Sequence, residues 1–432
     1  MCYKKYTVRY EPLGVVAACV SWNYPFHNFI SPVISALFGG NAIVVKPSEQ
    51  TCWSAAYFLK IIRGALVACG QSKELVQSVV CLPETADYLT SHPKIRHITF
   101  IGSRDIAFKV CASAAKALTP VTVELGGKDP AIVLDDARTI RSLENVCAIL
   151  MRGTFQSAGQ NCIGIERVIA QHKAYARIIQ IVGPKIKALR FGSITLGIDT
   201  LDMGSMISDR SFDRLESLIQ GAVDAGATLH CGGHRQEHPY HPNGHYFQPT
   251  LISGVTRDMQ IAQTELFAPI FLLMRASDHI NAVDIANSTP YGLGASVFGH
   301  LQYEIDYCVK HLQAGMVAVN DFGAYYACSL PFGGVKGSGY GRFGGAEGLQ
   351  GLCSVKAVCE DAWWAKLFGL QTNIPLQLQY PIRDREIAWQ MCKGVIKMGY
   401  AISARGRLEG VAKLIGAMIG RKIRSRSADA IT

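Results

Sequence analysis

The alternation of short apolar runs with longer amphipathic stretches is the feature that most constrains the fold. Strand-like apolar runs occur at Val15 to Val20, Asn41 to Val45, Leu75 to Val80, His97 to Phe100 and Val121 to Leu125. Stretches with helical periodicity separate them, and this spacing is typical of βαβ units. The sequence therefore predicts an α/β fold with a doubly wound parallel sheet.

A second alternating block begins at Asp129 and includes strand-like runs at Glu166 to Ala170 and Gly315 to Asn320. Residues 331–345 contain so many glycines that they predict a close-packed loop without regular structure. Residues 230–245 combine histidines with prolines and glycines, which predicts a flexible loop. The histidine spacings fit no tetrahedral zinc pattern, so we expect no metal site there.

Charge and cysteine content narrow the range of partners. The chain of 432 residues has a formal charge of +10, but residues 383–432 alone carry +7 of it. The small remaining excess gives no reason to expect a nucleic-acid ligand. The 14 cysteines form no C-x-x-C pair and no apolar run reaches the roughly 18 residues of a membrane span, which indicates reduced thiols in a soluble or peripheral, cytoplasmic protein.

The basic C-terminal stretch has an amphipathic pattern. Basic residues lie off one face, on which apolar residues recur at helical spacing: Leu408, Val411, Leu414, Ile415, Met418 and Ile419. One interpretation is a helix at a membrane surface. The other is a helix docked on the protein's own core, which the glycines in this stretch favour because each weakens a free-standing helix by about 1 kcal/mol.

Three residues could together carry chemistry at a carbonyl carbon. Cys162 lies in a loop of small residues and amides, Glu124 ends a strand before Gly-Gly, and Asn23 follows another strand. They would supply a nucleophile, a base and an amide donor to an oxyanion. Each also has an ordinary structural interpretation, as a buried thiol, a capping carboxylate and a turn residue.

Signals for a cofactor are mixed. The chain has neither a G-x-G-x-x-G motif after its first strand nor a G-x-x-x-x-G-K-[ST] motif. Lys46 and Glu49 follow a strand, where a cation and a carboxylate could bind a ribose. Gly102 and Ser103 begin a helix whose N–H groups could receive a phosphate.

The motifs SWNYP, KPSE, FIGS, ELGGK, GQNC, TELFAPI and PFGGVKGSGYGR occur in an order that resembles the aldehyde dehydrogenase superfamily. The resemblance covers residues of about 6 to 358 and is strongest to the plant family-22 branch and its fungal relatives associated with the endoplasmic reticulum. It implies a Rossmann-type cofactor domain plus an α/β catalytic domain, followed here by a basic helical extension.

The resemblance also implies a mechanism. Cys162 would attack an aldehyde to give a thiohemiacetal, and Asn23 would hold its oxyanion together with the Cys162 backbone N–H. Loss of hydride would leave a thioester, which water activated by Glu124 would hydrolyse to the carboxylic acid. The apolar neighbours Phe155 and Ile163, with Phe322, favour a hydrophobic aldehyde as the substrate.

Cofactor contacts follow from the same resemblance. The positions that match cofactor-binding residues are Ser21, Trp22, Lys46, Ser48, Glu49, Gly102, Ser103, Leu125, Glu265 and Phe267. Glu49 would accept a hydrogen bond from the ribose 2′-hydroxyl and repel a 2′-phosphate. NAD is therefore expected rather than NADP.

The implied domains are a cofactor-binding domain over residues 11–126 and a catalytic domain over 127–345. Residues 1–10 would be the remaining strand of an oligomerisation hairpin, residues 346–361 an oligomerisation strand, and residues 362–432 the basic extension. Compared with the family pattern, a long segment before Asn23 is missing, so we expect an N-terminally truncated member that forms homo-oligomers if that segment is present.

The alternative expectation is a catalytically impaired family member that acts as a binding or membrane-associated protein. For either function, the C-terminal basic helix could make peripheral membrane contact, and the expected location is the cytoplasm, with the cytosolic face of the endoplasmic reticulum as one option.

Overall fold

A computed structural model describes residues 4–193, 201–238, 241–323, 329–369 and 374–419. The chain divides into two compact units, one of Tyr10–Lys356 and one of Met1–Arg9 with Ala357–Thr432. The ends of the two outermost predicted segments, residues 1–3 and 420–432, lie outside the described residues.

A six-stranded sheet forms the first layer of the larger unit. Its strands are β2 (Val15–Cys19), β3 (Ala42–Lys46), β4 (Val76–Ser78), β5 (Ile95–Ile101), β6 (Val121–Glu124) and β16 (Gly339–Tyr340). Their order is β16-β6-β5-β2-β3-β4. The strands are parallel except for β16, which runs antiparallel to β6.

Four helices connect the parallel strands of this sheet: α1 (Pro25–Phe38), α2 (Cys52–Ala68), α3 (Pro83–Thr90) and α4 (Arg104–Ala115). The predicted parallel sheet with alternating helices is confirmed. Strand order explains why a site forms here. The chain adds β3 and β4 on one side of β2 but β5 and β6 on the other, so β2 and β5 flank a topological switch point, where open α/β sheets bind ligands.

The second layer is a seven-stranded sheet in the order β15-β14-β7-β8-β13-β12-β9, in which only β9 is antiparallel. Its strands are β7 (Pro130–Val133), β8 (Arg167–Gln171), β9 (Thr228–Cys231), β12 (Thr250–Val255), β13 (Ile270–Ala276), β14 (Gly294–Phe298) and β15 (Met316–Val319). β7, β8 and β14 are buried along their whole length. Their continuous apolar runs are typical of parallel strands covered on both faces.

Eight more helices lie within the described residues of the larger unit. They are α5 (Ala137–Arg141), α6 (Leu143–Phe155), α7 (His172–Lys187), α8 (Phe212–Asp224), α9 (Gln260–Gln263), α10 (His279–Asn287), α11 (Gln302–His311) and α12 (Gly345–Gly351). α7 and α8 each bury one apolar face in the same core as the seven-stranded sheet. The same core packs against the loop after α6 and fixes its position.

Two loop predictions were wrong. The stretch from His230 to His245 is not a flexible loop, because β9 is followed by a hairpin of β10 (Arg235–His238) and β11 (His241–Phe247). Pro239 and Tyr240 lie outside the described residues. The glycine-rich stretch 331–345 does contain regular structure, since β16 pairs with the end of β6. Its glycine is required there, because a Cβ at Gly339 would lie 2.0 Å from the Val123 carbonyl oxygen.

β1 (Lys4–Pro12) and β17 (Cys353–Asp361) pair as a two-stranded sheet. α12 precedes β17, so the strand predicted over 346–361 begins only at Cys353. The smaller unit also contains α13 (Trp363–Leu367), α14 (Arg385–Tyr400) and α15 (Ala404–Met418). Within the described residues, no helix combines the length and apolarity needed to cross a membrane.

Candidate active site

A cavity of about 230 Å³ lies at the carboxyl ends of β2, β5 and β6. Its lining combines the segments after β2 and β5, the end of β6 and the loop before β13. It also includes the loop between α6 and β8 that carries Cys162, called the thiol loop below. The lining residues are Ser21, Trp22, Asn23, Gly102, Ser103, Glu124, Leu125, Gly126, Cys162, Glu265 and Phe267. The cavity thus brings together ten of the thirteen residues that the sequence singled out.

Cys162 is positioned by a tight reversal of the chain after α6. Ser157 and Ala158 adopt left-handed backbone conformations with φ of 57° and 54°, followed by Gly159 at 73°. Two consecutive non-glycine residues in this region store strain of the order of 1–3 kcal/mol each, which is frequent at functional sites. Beyond the reversal, the Asn161 carbonyl accepts from the Gly164 N–H at 2.9 Å and closes a turn around the thiol.

Asn23 is fixed by hydrogen bonds on both sides of its amide. Its Nδ2 donates to the Gln160 carbonyl at 3.1 Å, two residues before Cys162. Its Oδ1 accepts from the Ser21 hydroxyl at 2.8 Å and from the Asn28 amide at 3.2 Å. The N–H₂ end of Asn23 therefore faces the thiol loop, as an oxyanion donor requires.

Glu124 ends β6 and is 2% exposed. Burial raises the pKa of Glu124 to about 7, although hydrogen bonds from the Cys162 thiol and the Gly126 backbone work in the other direction. Its Oε1 is buried without a hydrogen-bond partner among the described residues. A carboxyl group that titrates near neutral pH beside a thiol has the properties of a general base.

Burial also raises the pKa of the Cys162 thiol well above its ordinary value, and the nearby carboxylates of Glu124, Asp129 and Glu265 add to this. Cys162 nevertheless keeps some accessible surface and lines the cavity. The thiol is therefore protonated at neutral pH and must lose its proton to a neighbouring base before it can attack a substrate.

Glu265 and Phe267 form the wall opposite the strand ends. The Gly127 N–H donates to Glu265 Oε1 at 3.1 Å, and the Phe267 ring packs edge-on against Trp22 with 5.9 Å between centroids. Burial and the neighbouring Glu166 carboxylate raise the pKa of Glu265 to about 8. Gly126 leaves room for this arrangement, because a Cβ there would lie 2.2 Å from Glu265 Oε1.

Lys46, Ser48 and Glu49 do not line the cavity. Lys46 ends β3, beside β2, and its Nζ lies 3.5 Å from Glu49 Oε2. Ser48 accepts from the Gln50 N–H and caps the short 3₁₀ turn Glu49–Thr51. The three residues therefore lie at the same edge of the sheet, one strand away from the cavity.

Sequence reasoning missed a buried charged group behind the cavity. Lys128, Asp129, Glu166 and Arg167 are each at most 7% exposed. The Arg167 guanidinium donates to the Ile285 and Ala286 carbonyls, which joins β8 to α10. Charged residues at the start of otherwise apolar strands were the available signal, since such residues are rarely buried unless paired.

The comparisons with known proteins agree with this architecture. Residues 3–358 match the model of the aldehyde dehydrogenase family. The chain belongs to the aldehyde dehydrogenase family.

An aldehyde dehydrogenase-like protein of Saccharomyces cerevisiae is 51% identical over 419 residues, which cover 95% of this chain. The chain spans 64% of the length of that relative. A succinate-semialdehyde dehydrogenase [NADP(+)] of Mycobacterium leprae is 32% identical over 82% of the chain and 74% of its own length.

Among solved structures, betaine aldehyde dehydrogenase of Staphylococcus aureus in complex with NAD⁺ superposes with a TM-score of 0.77. The two chains are 27% identical, and the match covers 88% of this chain and 72% of the betaine aldehyde dehydrogenase chain. The aldehyde-dehydrogenase-like fold predicted from the sequence is therefore confirmed.

The cavity residues fit a nicotinamide dinucleotide. Ser103 precedes the 12-residue helix α4, and its side chain makes no capping bond to that helix, which leaves the helix N–H groups for an anion. Gly102 has no side chain to obstruct an anion at this helix end. The absence of a side chain at Gly126 lets Glu265 stay at the cavity wall. Ser103 and Gly102 would hold the pyrophosphate, and Glu265 with Phe267 the nicotinamide end.

Proposed function

We propose that this chain oxidises an aldehyde to a carboxylic acid with NAD as the hydride acceptor. The observation that supports this most directly is the meeting of Cys162, Glu124 and Asn23 at one cavity of about 230 Å³. The cavity also contains the groups that fit the cofactor. Bound NAD would supply the acceptor for the hydride that leaves the substrate carbon.

Glu124, as the carboxylate, first accepts the Cys162 proton. The thiolate Sγ then forms a bond to the aldehyde carbon. The electron pair of the C=O bond passes to oxygen, and the Asn23 N–H with the Cys162 backbone N–H holds the resulting oxyanion. The same groups hold the thioester oxygen after hydride loss.

Hydrolysis reuses Glu124. The carboxyl group releases its first proton to solvent and then takes a proton from water as that water attacks the thioester carbon. The C–S bond breaks, the departing Sγ takes the proton that Glu124 received from water, and the acid leaves with the Cys162 thiol and the Glu124 carboxylate restored. Aldehyde, water and NAD⁺ thus give acid, NADH and a proton.

Turnover of the purified chain tests this proposal. Formation of NADH at 340 nm should depend on aldehyde and should be lost in Cys162→Ala. Cys231→Ala is the matched control, because Cys231 is also partly buried but lies in β9, away from the cavity. Equal rates in wild type and Cys162→Ala would refute the proposal.

The choice of NAD rests on Glu49, whose carboxylate would repel a 2′-phosphate. The ratio of kcat/KM for NAD to that for NADP should be above one in wild type and should fall in Glu49→Gln. A wild-type ratio below one would show that the neighbouring Lys46 dominates instead.

We propose a hydrophobic aldehyde as the substrate. Ile163, the residue after the nucleophile, is 5% exposed and belongs to an apolar cluster against which Cys162 and Phe322 pack. Phe155 lies at the end of α6 in the neighbouring core. A medium-chain alkanal should therefore have a higher kcat/KM than succinic semialdehyde, and the reverse order would contradict this.

A second function is favoured by one feature of the smaller unit. α15 packs on α14 through Gly410 and Leu414, since a Cβ at Gly410 would lie 2.4 Å from the Met398 nitrogen and one at Gly394 would lie 2.8 Å from Leu414 Cγ. The rest of the apolar stripe is left exposed: Leu408 is 69%, Ile415 52% and Met418 61% exposed. We propose that α15 binds a membrane surface containing anionic lipid, with exposed Arg405 and Arg407 as the attracting cations.

Flotation with vesicles of phosphatidylcholine and phosphatidylserine tests this function. Wild type and Ile415→Leu should float, and Ile415→Glu should not, while vesicles of phosphatidylcholine alone should bind less. Equal behaviour of the Leu and Glu variants would exclude the proposed face. A location at the cytosolic face of the endoplasmic reticulum stays a prediction.

A further inference from the structure

We propose that Asn28 and Ser21 are positioning residues that fix the orientation of the Asn23 amide, and that Asn28 acts on catalysis only through Asn23. This inference rests on the proposed aldehyde oxidation. Asn28 lies on the first turns of α1, five residues after Asn23, and is 5% exposed. It is not among the residues that line the cavity.

Counting protons shows why the arrangement has one orientation. The Ser21 hydroxyl has a single proton, which it donates to Asn23 Oδ1 at 2.8 Å. Ser21 Oγ must therefore accept in its contact with Asn28, whose Nδ2 lies 2.9 Å away. The second proton of that Nδ2 points to Asn23 Oδ1 at 3.2 Å, which is closer than the Ser21 carbonyl oxygen at 3.5 Å.

Asn23 Oδ1 thus accepts two hydrogen bonds, and rotation of the amide would break both. Its Nδ2 is consequently held on the opposite side, where one proton goes to the Gln160 carbonyl. The second proton is available for an oxyanion formed at Cys162. A flipped amide would place its oxygen against the Gln160 carbonyl and a developing negative charge, which costs at least one hydrogen bond.

Two substitutions separate the effect of orientation from the effect of charge. Asn28→Leu removes one of the two donors to Asn23 Oδ1 without adding charge. Asn28→Asp places an acceptor beside Ser21 and Asn23, so the Ser21 proton and the Asn23 N–H₂ both turn toward the new carboxylate. Loss of a whole oxyanion donor costs about 10²–10³ in kcat, so we expect a fall of about tenfold for Asn28→Leu and about a hundredfold for Asn28→Asp.

A double-mutant cycle tests whether Asn28 acts through Asn23. In an Asn23→Ala background, Asn28→Leu should lower kcat no further. A further tenfold fall there would overturn the inference. Alkylation of Cys162 by iodoacetamide develops no oxyanion, so its rate should be unchanged in Asn28→Leu. A matching loss of alkylation would indicate a disturbed thiol loop instead.

Asn287→Asp is the matched control. Asn287 also uses both ends of its amide, donating to the His311 carbonyl and accepting from the Gln313 N–H, but it does not line the cavity. It should keep wild-type kcat even if its thermal midpoint falls. All variants are compared by their thermal midpoints, so that a folding defect is recognised as such.

One readout does not depend on turnover. In the ¹⁵N-asparagine spectrum, the two side-chain amide protons of Asn23, assigned by their loss in Asn23→Ala, should be distinct and slow to exchange in wild type. They should exchange faster in Asn28→Leu. If wild type oxidises no aldehyde, the proposed function fails and this spectrum alone decides the inference: identical Asn23 amide signals in wild type and both variants overturn it.

Discussion

Lys128 and Glu166 form an ion pair behind the candidate active site, with 2.7 Å between Nζ and Oε2 and almost no exposed surface on either side chain. The same carboxylate accepts from the Leu266 and Phe267 backbone N–H groups. The pair therefore ties the Gly-Gly segment after Glu124 to the loop that carries Glu265. The ion pair therefore supports two walls of the cavity from behind.

Removing Lys128 should destabilise the fold strongly. In Lys128→Met the Glu166 carboxylate would stay buried without its cation, which costs about 3–5 kcal/mol in comparable cases. Urea unfolding at neutral pH measures this. Lys116→Met is the control, because Lys116 pairs with Asp87 on the surface and should change little. A comparably small effect in Lys128→Met would show that the buried carboxylate finds another partner.

Glu124→Gln should abolish turnover and yet stabilise the protein at alkaline pH. Burial raises the pKa of Glu124 from 4.5 to about 7. Between these values the unfolded chain loses the proton while the folded protein keeps it, so wild-type stability falls as pH rises through this window. Above it the penalty reaches about 3 kcal/mol.

Glutamine carries no charge to desolvate, so the free energy of unfolding of Glu124→Gln should exceed that of wild type above about pH 8. Near pH 4.5, the ordinary pKa of the group, the two free energies should be closer. Wild-type kcat/KM should rise with pH through about 7 as the base ionises. A variant that is less stable than wild type at alkaline pH would contradict the assigned cause of the pKa shift.

The sequence allowed β2 to β6 to be located within a few residues, because β2 and β3 are largely apolar runs and the other three recur between helical stretches at the same spacing. The cavity set around Cys162 followed from the order of motifs rather than from any single spacing. The left-handed conformations of Ser157 and Ala158 could not be foreseen, because only the third residue of that reversal, Gly159, is a glycine. The hairpin over 235–247 was missed because its composition is typical of loops. Its regular structure comes from the pairing of β10 with β11.

Contacts between distant segments were the hardest part of the site to predict. Lys128 and Glu166 are 38 residues apart, and both read as ordinary polar ends of strands until the two segments are brought together. The Asn28 amide is close in sequence to Asn23, but its role depends on where the helix α1 begins. Charged residues at the start of apolar strands signal a buried charged group, but neither composition nor periodicity identifies which residues pair.

Gly126→Ala should weaken cofactor binding more than it weakens the fold. Gly126 has φ of 63°, and an added Cβ would lie 2.2 Å from Glu265 Oε1. The Glu265 side chain would have to leave the cavity wall, where the Gly127 N–H holds it. We expect the Kd for NAD, measured by calorimetry, to rise at least about tenfold, which corresponds to about 1.4 kcal/mol.

Gly14→Ala is the control for backbone strain alone, because Gly14 also has a positive φ of 113° but its Cβ would meet nothing within 4 Å. It should lower the thermal midpoint and leave the affinity for NAD unchanged. An unchanged Kd in Gly126→Ala would mean that Glu265 does not contribute to binding.

His97 should make the protein sensitive to mild acid. Its ring lies between β5 and β6, with Nε2 at 3.1 Å from Thr122 Oγ1, and burial lowers the pKa of His97 from 6.5 to about 4. Because the folded-state pKa lies below the unfolded one, the associated stability is fully present above pH 6.5 and is lost as pH falls toward 4. The loss amounts to about 3 kcal/mol at the lower end. Urea unfolding across this window should give a slope that His97→Phe flattens and that His172→Gln, at an exposed position, leaves unchanged. Equal slopes in wild type and His97→Phe would assign the acid sensitivity to other groups.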